Sequence, residues 1–272
     1  MRPILVHIGT LAVPSHDACI ALGVVLAALV FAGEVRRCGV QGDERLLWIA
    51  AAALAGGALG AKLATAWQYV ALTGDATLGG ILVRGGRSIL GGLTGAYAGA
   101  VLAKHALRYA ARTGDLFVPG VALGMAVGRV GCLLAEPPGA PNALGWGIRL
   151  TADEAARIPG CPAWCAAGVP LHPSFAYESA FHLLAVATLW WWLRAPGAAA
   201  RRARTPEGAL WVRWLLAYGA FRFAVEFVRG HDVAWLGLTR SQLFLLAALP
   251  LVAWRVATLR RIAPAAPLAA PA

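Results

Sequence analysis

The residues of this chain with chemical potential are charged side chains set in apolar runs. Arg129 lies within Gly120-Val-Ala-Leu-Gly-Met-Ala-Val-Gly-Arg-Val-Gly-Cys-Leu-Leu-Ala-Glu136. In hydrocarbon an arginine costs about 2.5–3.5 kcal/mol, so an anion or water must stand opposite it. Glu136 follows two helical turns later on roughly the same face. An arginine fork meets a phosphate or carboxylate with two bonds, so the pair reads as an anion site or as a structural ion pair. Arg222 and Glu226 are one turn apart and can pair with each other on a helix. Leu171-His172-Pro173-Ser174-Phe175-Ala176-Tyr177-Glu178 opens another apolar run. Its proline suits a first helical turn, and Glu178 requires a partner. Gly85-Gly86-Arg87-Ser88-Ile89-Leu90-Gly91-Gly92 has two readings. One is a helix start whose amides, beside Arg84 and Arg87, hold a phosphate; the other is a glycine-packed helix entry. Leu238-Thr239-Arg240-Ser241-Gln242 adds a fifth polar cluster, whereas Arg149, Arg157 and Arg229 read as solvated loop charges.

The elements that must hold these clusters are membrane helices. The chain is 59% hydrophobic and 14% charged, against about 45–50% and 25% in soluble domains. A net charge of +11 would fit nucleic acid in a soluble protein. Here the arginines gather at the ends of apolar spans, which is an orientation signal, and no nucleic-acid partner is expected. Spans of about 20 residues fall at 17–34, 46–72, 89–106, 116–136, 174–193, 208–229 and 239–257. Arg36, Arg37, Arg45, Lys104, Arg108, Arg112, Arg194, Arg201, Arg202, Arg204, Arg255, Arg260 and Arg261 then share one side, the cytoplasm, with the N-terminus out and the C-terminus in. All five polar clusters fall on the outer half.

The expected fold class is therefore an all-α integral membrane protein with seven transmembrane helices. Residues 1–262 form one membrane domain, the Pro/Gly-rich segment 137–171 a small extracytoplasmic head, and 263–272 a disordered tail. Glycines 120, 124 and 128 recur on one helix face and let a neighbouring helix approach closely. Cys161 and Cys165 lie together in the head and would be bridged in an oxidising compartment. The histidines are scattered and that cysteine pair lacks partners, so no metal is expected, and no nucleotide motif is visible.

Taken together, these segments resemble the prolipoprotein diacylglyceryl transferase family. That family's marks are Gly-Gly-x-x-x-x-Gly-Gly, Gly-Arg-x-Gly followed by a Glu, His-Pro-Ser-x-x-Tyr-Glu, Arg-Phe-x-x-Glu-Phe and a Gln opening the last span. Here they read as Gly85–Gly92, Gly128-Arg129-Val130-Gly131 with Glu136, His172–Glu178, Arg222–Phe227 and Gln242. The resemblance covers residues 85–242 in the family's order. It implies transfer of diacylglyceryl from phosphatidylglycerol to the cysteine thiol of an exported lipoprotein precursor, in the bacterial inner membrane and without a cofactor. It implies catalytic roles for Arg129, Glu136, Arg222, Glu226 and His172, the arginines holding phosphate and the glutamates orienting them. Substrate contacts are implied for Arg87, Gly91, Gly92, Gly128, Gly131, Cys132, Gly139, Tyr177, Glu178 and Gln242. This chain departs from the pattern at Leu90, where the family has His, at Cys132 for Asn, at His16 for Tyr, and at Pro137-Pro138. With Leu90 in place of an imidazole, His172 and His16 are the candidate replacements. The competing readings are a non-catalytic membrane protein that binds anionic lipid or exported peptide, and a paralog with another acceptor.

Overall fold

A computed structural model describes residues 2–158, 161–162, 164–230 and 233–260. Pro159, Gly160, Arg261 and the tail 263–272 lie outside the described residues. The chain is mostly helical and divides into two compact units, Met1–Val35 with Arg112–Ala272, and Arg36–Ala111.

The first unit opens with a hairpin, β1 (Ile4–Ile8) and β2 (Leu11–Pro14), which runs into α1 (Ser15–Arg37). After the second unit, which contributes α2 to α5, it continues with α6 (Gly114–Ala135). Next come β3 (Ile148–Arg149), α7 (Ala152–Arg157), β4 (Pro170–Leu171), α8 (Ser174–Arg194), α9 (Ala198–Ala203) and α10 (Ala209–Val225). A 3-10 turn at Glu226–Val228 precedes a hairpin of β5 (Val233–Trp235) and β6 (Leu238–Thr239), then α11 (Arg240–Arg260). Within the second unit, α2 is Arg45–Leu63, α3 Ala66–Thr73, α4 Leu78–Arg84 and α5 Ile89–Ala106. The long second span thus breaks at Ala64-Thr65. A helix stands at each stretch read as a span. Among the described residues, four segments are long and apolar enough to cross a membrane, namely Ser15–Arg37, Arg45–Thr73, Gly114–Ala135 and Arg240–Leu259.

Small residues set the helix packing, as expected where lipid offers no hydrophobic drive and close backbone approach supplies the attraction. A Cβ on Gly120 of α6 would meet the Ala27 carbonyl oxygen of α1 at 2.6 Å, and one on Gly124 the Gly23 oxygen at 3.0 Å. The same face continues to Gly131, where a Cβ would meet Cys19 Cβ at 2.8 Å and His16 Cα at 3.0 Å. Phe31 stacks on Phe117 further along the seam, with ring centroids 4.6 Å apart. Gly128, by contrast, has open space within 4 Å of its hydrogen. In the second unit α2 and α5 meet the same way, through Gly56, Gly60, Gly91, Gly95 and Gly99.

Two inter-helix contacts fix directions within the first unit. Glu34, fully buried near the end of α1, pairs with Arg194 at the end of α8 at 2.6 Å. Asp115, in the first turn of α6, accepts from the amides of Gly208 and Trp211 where α10 begins, at 2.9 and 3.0 Å. So α1 and α8 end together, and α6 and α10 start together. Between α6 and α8, the segment 137–171 carries its own apolar cluster of Leu150, Ile158, Cys165 and Leu171. A capping box at Thr151/Glu154 starts α7, and Cys161 is bridged to Cys165.

Over-packing a glycine seam should cost stability, by about 1–3 kcal/mol for a tight site. We therefore expect Gly95→Val, whose Cβ would lie 2.9 Å from Gly60 Cα, to lower the thermal midpoint in detergent. Gly33→Ala, which points into open space, should leave it unchanged or higher. Equal midpoints for the two variants would contradict this packing.

Candidate functional site

Four helix ends of the first unit converge on one buried charge cluster. The C-terminal half of α6 brings Arg129, the second turn of α8 brings Glu178, the end of α10 brings Arg222, and the 3-10 turn brings Glu226. Arg229, one residue beyond that turn, completes it. All five side chains are buried.

Glu178 is the hub. Its Oε2 lies 2.5 Å from Arg129 Nη2, its Oε1 lies 2.5 Å from Arg229 Nη1, and Arg222 Nε approaches Oε1 at 4.0 Å. Tyr218 donates its hydroxyl to Glu178 Oε2 from α10 at 3.5 Å. Glu226 pairs with Arg222 one turn back, stands 3.7 Å from Arg229 Nε, and accepts the Thr239 hydroxyl at 3.0 Å. Phe175 lies flat beneath two of the cations, 4.6 Å from the Arg229 guanidinium carbon and 5.5 Å from that of Arg129, a cation–π arrangement that stabilises a desolvated guanidinium. Among the described residues, three guanidinium groups thus face two carboxylates. The Nε–H groups of Arg129, Arg222 and Arg229 have no hydrogen-bond partner among the described residues. A cluster with one cation in excess and unused donors can accept an anion with charge-assisted bonds.

Several sequence expectations require correction. Arg229 is not a solvated loop charge but is buried in the cluster; its backbone lies beyond the last helical turn, and only the fold turns its side chain inward. Arg149 and Arg157 do stay exposed, on loop and helix carbonyls. Arg129 takes Glu178 as its carboxylate rather than Glu136. Glu136 caps the end of α6 and instead meets His16 of α1, Nε2 to Oε1 at 3.2 Å.

Cys132 sits between these groups, buried, with Arg129 Nη1 donating to its Sγ at 3.6 Å. His16, Cys132 and Glu136 bring an imidazole nitrogen, a sulfur and a carboxylate oxygen within 4.8 Å of one another. Sequence spacing gave no sign of this grouping. His16 and Cys132 are 116 positions apart in sequence and meet only through the glycine seam of α1 and α6.

Other candidate residues are placed in supporting roles. His172 bonds its ring Nδ1 to the Tyr177 hydroxyl at 3.1 Å, with Trp146 against both rings, so its partner is neither a guanidinium nor a carboxylate. Gly139 passes between backbones, donating to the His172 oxygen at 2.7 Å, with no room for a side chain. Gln242 accepts from the Thr239 amide at 2.9 Å and donates to the Phe223 oxygen at 3.1 Å. That is a reciprocal cap for α11, and it holds the Thr239 hydroxyl on Glu226. Gly91 and Gly92 sit in the second unit. Gly91 gives its amide to Ser88 Oγ at 3.1 Å and its α-carbon face to Gly60 and Ala64, which favours the glycine-packed reading of that segment. Arg87 is exposed there, and Arg84 pairs with Asp75 at 3.0 Å. Tyr218 and Thr239 stood within or beside the polar clusters of the sequence but were not assigned to the site. The spacing of Tyr218 one turn before Arg222 was the available signal for the first.

Removing the hub would leave buried cations unmatched, a loss of about 3–5 kcal/mol. Glu178→Gln should accordingly lower thermal stability more than Glu136→Gln at the half-exposed helix end. A Glu178→Gln protein as stable as the parent would contradict the hub.

Comparison with known proteins identifies the family. The family described as prolipoprotein diacylglyceryl transferase matches residues 3–259. A phosphatidylglycerol–prolipoprotein diacylglyceryl transferase of Dehalococcoides mccartyi is 32% identical over 263 residues, covering 93% of this chain and 94% of that protein. The enzyme of the same name from Ruegeria pomeroyi is 31% identical over 239 residues, 81% of this chain and 77% of that protein. One from Clostridium tetani is 29% identical over 85% and 86%. With motifs, buried cluster and whole-length similarity in agreement, this chain belongs to the prolipoprotein diacylglyceryl transferase family of membrane transferases.

Proposed function

We propose that the chain transfers the diacylglyceryl group of phosphatidylglycerol to the cysteine thiol of a lipoprotein precursor, releasing glycerol phosphate. The observation that carries this reading is the buried cluster of three guanidiniums and two carboxylates. Its single excess charge suits a phosphodiester, and its unused donors suit the charge that develops as phosphate leaves. As the thiolate sulfur attacks the glyceryl carbon, the carbon–oxygen bond to phosphate breaks and the electron pair moves onto the phosphate oxygen. Fixed cations in a water-poor site stabilise that developing charge without reorganising. Glu178 and Glu226 hold the guanidiniums in place, and Thr239 and Tyr218 hold the glutamates.

We place the site at the outer leaflet of the bacterial inner membrane, in a seven-span topology with the N-terminus outside. The shared ends of α1 and α8, and of α6 and α10, support alternating directions consistent with the basic residues of the cytoplasmic side. The Cys161–Cys165 bridge supports an extracytoplasmic position for 137–171, because disulfides persist in oxidising compartments.

The test is transfer from labelled phosphatidylglycerol to a lipobox peptide by the protein in detergent. Arg129→Ala and Arg222→Ala should each lower turnover by about 10²–10³ or more, with membrane insertion retained. Unchanged turnover in both variants would remove the phosphate role, and absence of transfer by the folded parent would remove the activity.

A further inference from the structure

His16, Cys132 and Glu136 form a second polar group beside the arginine cluster, and the phosphate chemistry does not use it. The backbone that presents them is closely packed. Cys132 and Glu136 lie one turn apart at the end of α6, and Gly131 brings the first turn of α1 against them. Imidazole, thiolate and carboxylate are the mixed nitrogen, sulfur and oxygen donors that zinc takes, whereas calcium and magnesium require oxygen ligands. Three protein donors leave a tetrahedral ion one open position, the pattern of a zinc site that binds its reactant.

The surroundings of His16 favour this use over that of a metal-free base. Its Nδ1 faces Asp17 Oδ1 at 3.4 Å, while its Nε2 faces Glu136 Oε1 at 3.2 Å. Each ring nitrogen of His16 thus faces a carboxylate oxygen already in place, and neither is left turned toward a substrate. With Nε2 and Glu136 both turned to a cation, Nδ1–H remains on Asp17, which is how ligating histidines are oriented. The charges also balance. A thiolate and a carboxylate neutralise a dication, so a loaded site adds nothing to the positive excess of Arg129, Arg222 and Arg229. Entry is available because Glu136 is half-exposed, while Cys132 lies buried on the side of the arginines.

We infer that His16, Cys132 and Glu136 bind a zinc-type divalent cation whose fourth position takes the acceptor thiol. The identity of that thiol rests on the transferase reading above. On coordination the acceptor S–H loses its proton to solvent, because a metal-bound thiol is deprotonated outright. Its sulfur then forms the bond to the glyceryl carbon while the carbon–oxygen bond breaks toward phosphate. Arg129 joins the two sites, with Nη1 on Cys132 and Nη2 on Glu178. Nucleophile and leaving group are thus one side chain apart. The metal site would supply thiol activation in a chain that has Leu90 in place of the family's histidine.

The experiment uses the full chain in detergent, stripped by a chelator and titrated with Co2+ as a visible probe. One equivalent with sulfur-to-cobalt charge-transfer absorbance is expected. His16→Ala should lose that binding, and Asp17→Asn should weaken it by about 10- to 100-fold. Glu136→Gln should lose it as well, and Cys132→Ser should remove the sulfur band. Circular dichroism of His16→Ala, a change at a partly exposed ring, guards against reading a folding failure as a lost ligand. Absence of the sulfur band in the parent, or parent-like binding by a folded His16→Ala, would overturn the site. Transfer to a lipobox peptide should fall on chelation and return with Zn2+. Full transfer by the chelated protein would overturn the inference while leaving the transferase reading intact. Cobalt binding as described, without transfer under any metal condition, would instead overturn the transferase reading and keep the site.

Discussion

Everything at this site depends on the carboxylate of Glu178, buried at the start of α8 and held by guanidiniums from two other parts of the chain. A carboxylate there without partners would cost several kcal/mol, and so would either arginine alone. None of the three can be present without the others, so α6, α8 and the turn after α10 must arrive together. Such a cluster is weak evidence for stability, since an apolar replacement packs as well. Its retention points to a role for the charge itself. Among the described residues the cluster sets three guanidiniums against two carboxylates, all five side chains buried.

The support for that imbalance is layered. Glu226 restrains Arg222 from one turn away, Thr239 restrains Glu226, and Gln242 restrains Thr239 by capping α11. Phe175 lies under two of the cations. These contacts are made before any ligand arrives, which is what lets fixed charge act on a developing one at no cost in reorganisation. On the other face of α6, the glycine seam presses α1 close enough to place His16 beside Cys132 and Glu136. One helix therefore carries Arg129, to which we assign the phosphate, and a turn later Cys132 and Glu136 of the proposed metal site.

Much of this was legible in the sequence, for identifiable reasons. Charged residues within apolar runs stand out because hydrocarbon tolerates few of them, so Arg129, Arg222, Glu226 and Glu178 were marked in advance. Of the glycines at every fourth position, 120 and 124 announced the α1–α6 seam while Gly128 faces open space, and which helix they would meet was open. Partner choice was not legible. Helical spacing put Glu136 on the face of Arg129, yet the pairing went to Glu178, because an inter-helix neighbour at 2.5 Å outcompetes one two turns along the same helix. Arg229 looked like a loop charge since nothing local shows that the chain after α10 folds back over the cluster. The His16–Cys132–Glu136 group was hidden for the same reason, as His16 shares no stretch of sequence with Cys132 and Glu136. The backbone contacts of Gln242 and Gly139 were not legible either, because only the fold brings Phe223 and His172 to them.

The most direct test of the central claim is an experimental structure of the protein with phosphatidylglycerol bound. The account predicts the phosphate oxygens at about 2.7–2.9 Å from the guanidinium nitrogens of Arg129, Arg222 or Arg229, with Glu178 and Glu226 still in place behind them. A phosphate held instead by Arg84 and Arg87, with the buried guanidiniums satisfied by carboxylates and water alone, would contradict it.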